Sequence, residues 1–141
     1  MKQYYRLIGI DVGKKRIGLA QSDLLRTIAS PIGAYSGGEI FDKIQKIVDQ
    51  GPVKKFVIGW PITLSGKEGE SVHMVKSFIG ELKKKFPDIE IVTLDERFTS
   101  VMAKKTLIES GTPRKKRQEK GRVDAAAAAI ILQNYLDTKS D

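Results

Sequence analysis

The sequence predicts an α/β fold built on a mixed five-stranded sheet flanked by helices. Two observations carry this. Three strand-like segments follow one another at the start of the chain, the first two joined across a glycine turn. After residue 39 the apolar period changes, and segments of helical spacing alternate with short apolar runs. Consecutive short-linked strands pair antiparallel, while strands separated by helices return parallel. The expected order is β-β-β-α-β-α-β-α-α in a single domain over residues 1–141, a length that supports one real core but not two.

Each element has its own signal. Tyr5–Val12 is apolar and β-branched. Gly13 supplies a turn that exposes Lys14 and Lys15, and Ile17, Gly18, Leu19 and Ala20 return as the second strand. Thr27–Tyr35 is a third strand, broken by Pro31, which points to a sheet edge. Ile40, Phe41, Ile44, Ile47 and Val48 recur at helical spacing, and Gly51-Pro52 stops that helix. Lys55–Gly59 reads as a short buried strand, followed by a loop from Trp60 to Gly69. A helix is expected over Glu70–Phe86, with Val72, Val75, Phe78, Ile79 and Leu82 inward and Pro87 as its stop. Ile89–Leu94 is a further strand. Helices are expected over Thr99–Glu109 and Val123–Leu136, and residues 138–141 are expected to fray.

Composition narrows the function classes. Cysteine is absent, which excludes disulfides and thiolate metal sites and fits a reducing cytoplasm. His73 is the single histidine, so zinc sites of the Cys/His kind are excluded; it is read as an exposed helix residue without a role. No apolar run approaches the roughly 20 residues of a membrane helix. The opening MKQYYRLIGID is not read as a secretory leader.

The formal net charge of +8 favours a polyanionic partner. Charge clustering supports nucleic acid. The stretch TPRKKRQEKGR carries Arg114, Lys115, Lys116, Arg117, Lys120 and Arg122 against the single acid Glu119, and follows Gly111, so it is read as a basic loop.

The carboxylates raise the sharpest question. Asp11 interrupts the first strand, in IGIDVGKKRIGLAQSD, where a buried carboxylate is costly unless paired, hydrogen-bonded or metal-bound. Glu96 follows the fifth strand in TLDERFTS, with Asp95 beside it in a supporting place, and Asp124 opens the last helix in GRVDAAAAAIIL. The first and fifth strands deliver Asp11 and Glu96 to the carboxyl edge of the sheet, where open α/β sheets carry their sites. The alanines Ala125–Ala129 allow the last helix to lie close to the sheet and hold Asp124 near Asp11.

Three carboxylates without histidine or thiol form a hard-oxygen set suited to one or two Mg²⁺ or Mn²⁺ ions. Two such ions about 3.5–4 Å apart can activate water and stabilise a leaving oxygen in attack on a phosphodiester. Structural readings stand beside these. Asp124 can be a helix N-cap, Glu96 a surface partner of Arg97, and Trp60 either a substrate contact or a ring folded back on the core.

Four segments together, IGIDVGKKRIGLAQSD, VIGWPITLSGKEGE, LDERFTS and KGRVDAAAAAIIL, closely resemble the signature segments of the YqgF family, also called RuvX. The resemblance covers nearly the whole chain, in order. It implies a ribonuclease H-like fold related to the RuvC Holliday-junction resolvases. It also implies a nuclease that processes the 5′ end of pre-16S rRNA in the cytoplasm.

By motif, the implied acidic residues are Asp11, Glu96 and Asp124, and Lys14, Arg97 and Arg122 match basic positions that contact phosphate. The implied partner is a structured rRNA precursor, with ribosome association, no membrane, and a monomer or weak dimer. One departure matters. The resolvases carry a further acid one helical turn after the last-helix aspartate, where this chain has Ala127 and Ala128.

Other functions remain open beside the RNA nuclease. One is a four-way-junction DNA resolvase, which calls for a two-fold dimer. Another is a non-catalytic RNA-binding assembly module, which has no need of all three acids. An actin-like ATP-binding protein ranks last, because it requires two such domains around the nucleotide.

Overall fold

The computed structural model describes residues 3–61, 69–95 and 120–138, with the backbone alone for 120–123. The described residues form five strands and three helices: β1 (Arg6–Val12), β2 (Ile17–Ser22), β3 (Ala29–Tyr35), α1 (Ile40–Asp49), β4 (Val53–Trp60), α2 (Glu70–Lys85), β5 (Glu90–Asp95) and α3 (Lys120–Thr138). The strands make one sheet in the order β3-β2-β1-β4-β5. β1 pairs antiparallel with β2 and parallel with β4; β2 pairs antiparallel with β3, and β4 parallel with β5. The mixed sheet, its order of directions and the edge position of β3 are as the sequence predicts. The expected helix over Thr99–Glu109 lies outside the described residues, as does the basic stretch as far as residue 119, whereas its last residues, 120–122, form the first turn of α3 and not a loop.

Strand alternation sorts the core into two layers. On one face Ile8, Ile10, Val12, Ile17, Leu19, Phe56 and Ile58 meet Ile40, Ile44 and Ile47 of α1 and Val75, Phe78 and Leu82 of α2. On the other, Leu7, Ala20 and Val57 meet Ala128, Ile131, Leu132 and Tyr135 of α3. The sheet is thus covered on both sides, which explains why β1 is buried from Leu7 to Val12 rather than alternating between buried and exposed. None of the described helices is long and apolar enough to cross a membrane.

Several boundaries shift for local reasons. β3 starts at Ala29, not Thr27. The Asp23 carboxylate accepts hydrogen bonds from the Thr27 and Ile28 backbone N–H groups at 2.6 and 3.0 Å and from the Thr27 hydroxyl, so these residues form a turn. Burial works to raise the Asp23 carboxyl pKa, but these bonds outweigh it and hold the group below its ordinary value. Arg26 completes the turn at φ 59°. Its guanidinium donates to the carbonyls of Gln3, Tyr5 and Leu24 at 3.2, 3.1 and 2.9 Å and lies 3.7 Å from the Tyr5 ring centroid. Pro31 sits beside a register shift in the β2–β3 ladder, as a proline in a strand requires.

Candidate active site

Asp11 is one of two buried polar residues among those described, at 9 % exposure. The other, Ser22, has a structural role. Its Oγ accepts from the Leu7 N–H at 2.9 Å and donates to the Asp23 carbonyl. Asp11 stands in the central strand β1. It alternates with Ile10 and Val12, which point to α1 and α2, so its side chain belongs to the α3 face with Leu7 and Gly9.

Its cross-strand partner is Gly18. A Cβ placed on Gly18 would stand 2.1 Å from the Asp124 carbonyl oxygen and 2.5 Å from its carbon. The backbone of α3 at Asp124 therefore lies directly against the strand pair that carries Asp11. Along the same line, a Cβ on Gly9 would stand 2.7 Å from the Ala128 carbonyl oxygen. One helical turn from Asp124 to Ala128 rises about 6 Å, and two strand residues from Asp11 to Gly9 span about 6.6 Å. The helix and β1 therefore run antiparallel in step. Ala125, Ala127 and Ala128 are buried beneath this contact, as the alanine run predicts.

α3 begins at Lys120, one turn earlier than expected. Asp124 is therefore an interior residue of the helix and not its N-cap. Its place at the turn nearest Asp11 is not explained by capping.

Lys14 is exposed in the β1–β2 turn, which is closed by a hydrogen bond from the Gly13 N–H to the Arg16 carbonyl at 3.0 Å. Asp95 ends β5 opposite Trp60, is exposed, and shares the strand parity of Ile91, whose side chain packs on the α1/α2 side. Trp60 is half-buried against that same core, which favours the folded-back reading. His73 is exposed on α2. Glu96, Arg97, Arg114, Lys115, Lys116 and Arg117 lie outside the described residues, and Arg122 falls in the first turn of α3.

Among the described residues no group of three His, Cys, Asp or Glu side chains forms a metal cluster. Of the three predicted acids, the structure brings the backbone of Asp124 against the strand pair that carries Asp11. Both are carboxylates, and this donor chemistry fits a hard divalent cation such as Mg²⁺ or Mn²⁺ rather than a soft one. Sequence reasoning missed Gly18 and Gly9 as the residues that admit α3. The available signal was a glycine in each strand on the face carrying Asp11.

Nearly the whole chain is similar to known proteins. Residues 5–138 match the RuvX family, described as Holliday junction resolvase. A protein of Salinibacter ruber is 42 % identical over 132 residues, covering 94 % of this chain and 92 % of its own length. One of Chlorobaculum tepidum is 43 % identical over 135 residues, covering 96 % and 95 %. Both bear the name "Putative pre-16S rRNA nuclease". Among solved structures, RuvC of T. thermophilus in complex with a Holliday junction substrate superposes with a TM-score of 0.57 at 16 % identity, covering 96 % of this chain and 95 % of its own. That likeness shows the fold, which is ribonuclease H-like. With the match running almost end to end and its relatives above 40 % identity, the chain belongs to the RuvX family, a family of phosphodiester-hydrolysing enzymes.

Proposed function

We propose that this protein is a divalent-metal-dependent nuclease that processes the 5′ end of pre-16S rRNA in the cytoplasm. One observation carries the reading: a buried aspartate in a central strand meets, across a glycine, the helix turn bearing a second aspartate. Asp11 and Asp124, joined by Glu96, would hold the cations. When bound, these would supply charge neutralisation at the phosphate and an activated water. Asp11 presents its carboxylate from a rigid central strand, and Asp124 from a helix wedged against it, so both are positioned before substrate arrives. Lys14 stands at the same edge to meet a phosphate, and Arg97, Arg122 and the Arg114–Arg117 run would hold the strand electrostatically. The names of the relatives support RNA as the substrate.

A second reading, a Holliday-junction resolvase, is favoured by the description of the family. Ala127 and Ala128 weigh against it, because the resolvases carry a further acid on that turn.

The test is cleavage of end-labelled pre-16S leader RNA and of a four-way DNA junction in Mg²⁺ or Mn²⁺, with Asp11→Asn alongside. Metal-dependent RNA cutting that disappears in a folded Asp11→Asn protein is the expected result. Symmetric cutting of the junction alone would establish the resolvase. Binding of either substrate with no cutting would make the chain an assembly factor.

A further inference from the structure

An open cleft of about 300 Å³ lies on the α1/α2 side of the sheet, the face opposite Asp11, and of the residues given a role above only Lys14 borders it. Its mouth is the β1–β2 turn. Gly13, two residues from Asp11, lies on its border, and Lys14 and Lys15 stand exposed at its rim. Its apolar walls come from Phe41 of α1 and from Met74 and Phe78 of α2, and the two phenylalanine rings are stacked at 5.3 Å. Ser77 and Glu81, one turn apart on the exposed side of α2, add a hydroxyl and a carboxylate.

We propose that this cleft receives one unpaired base of the RNA strand held at the candidate active site; the inference rests on the nucleic-acid reading of that site. Three features specify the occupant. The first is charge: two lysines guard an apolar slot, which suits a flat apolar ring carried on a phosphate backbone. The second is continuity. Asp11 and Gly13 are about 7 Å apart along an extended chain, so a strand crossing the turn passes from the carboxylates to the cleft within a nucleotide or two. The third is size. The volume lies at the lower limit for ligand sites, about 300 Å³, and accepts a single base but not a base pair. RNA-binding proteins commonly read bases splayed from a strand in this way.

The lining also sets a preference. A carboxylate only accepts hydrogen bonds, so Glu81 selects a base edge that donates, such as an exocyclic amine, and disfavours uracil. A glutamine there brings donors and relaxes the choice.

The test measures binding by fluorescence anisotropy in EDTA, where metal-dependent cutting is absent. The probe is a short single-stranded RNA with one abasic residue placed at successive positions. Base stacking contributes about 1–3 kcal/mol per base, so one position should lose affinity roughly tenfold when abasic. Ser77→Trp, at an exposed helix position, should lower affinity for intact RNA by a similar factor and erase the dependence on that position. Glu81→Gln should keep the dependence and bind uracil there as well as cytosine.

A flat abasic scan, or a Ser77→Trp protein with the native profile, overturns the proposal; so does failure to bind intact RNA. If Ser77→Trp does not fold, the Glu81→Gln base preference decides alone. The two readings separate cleanly. A flat scan with Asp11-dependent cutting rejects the cleft and keeps the nuclease. A position-specific scan without cutting keeps the cleft and rejects the nuclease.

Discussion

Gly18→Ala is the smallest change that pushes α3 away from the β1–β2 strand pair. Its Cβ would lie 2.1 Å from the Asp124 carbonyl oxygen and 3.1 Å from the Ala125 nitrogen, all backbone atoms that no rotamer can move. Neither Gly18 nor Gly9 has a positive φ, so the cost arises from space alone. Opening the contact to 3.0 Å requires a shift of about 0.9 Å of the helix at Asp124. Overpacking of this kind typically costs about 1–3 kcal/mol, and for a chain of this length that lowers Tm by roughly 3–10 °C.

The functional cost should be larger. A misplacement of about 1 Å at a reacting centre can cost on the order of 100-fold in rate. Gly9→Ala is the internal control. Its Cβ would lie 2.7 Å from the Ala128 carbonyl oxygen and the Leu132 Cβ, a milder clash one turn from Asp124. It should destabilise less and change cleavage only a few-fold. Calorimetry and single-turnover cleavage well below both Tm values would make the comparison. A Gly18→Ala enzyme with native Tm and rate, or equal rate losses in both variants, would refute the argument that this contact positions Asp124.

Two predictions concern the β2–β3 turn. Arg26→Ala loses three hydrogen bonds to carbonyls and the stack on Tyr5 while keeping φ at 59°, whereas Arg26→Gly loses the same contacts without the left-handed strain. Urea unfolding should rank both below native, with alanine lower than glycine by about 1 kcal/mol, and equal midpoints would sink the strain argument. Asp23 has a depressed folded-state pKa. Its charge therefore stabilises the fold above the ordinary aspartate value of about 4, and that contribution is lost as pH falls through the folded value. Asp23→Asn keeps an acceptor but not the charge, so its deficit, below about 1 kcal/mol at this exposed site, should be present at pH 7 and vanish in acid. A deficit independent of pH would show that the charge is irrelevant.

Much of this was legible in the chain. The period-2 and period-3.6 patterns gave every described element to within a few residues, and Pro31 marked the edge strand. Asp11 announced itself by its misfit among apolar neighbours. Errors arose where partners outside an element's own apolar period act on its backbone. The start of β3 moved because Asp23 captures the Thr27 and Ile28 amides, and β4 ran longer than its most apolar part because its parallel neighbours β1 and β5 pair with it from Val53 to Trp60.

By itself the sequence determined which elements form, in what order, and which face of each is apolar, because these follow from local periodicity and chain stiffness. It also determined that the acids are oxygen donors without histidine or thiol beside them. Only the tertiary structure decided which faces meet. Asp11 and Asp124 are 113 positions apart, and their approach depends on α3 settling onto two glycines whose lack of a side chain has no consequence until the helix is there. The cleft beneath Lys14 arises in the same way, from three elements that each read as ordinary until they are packed together.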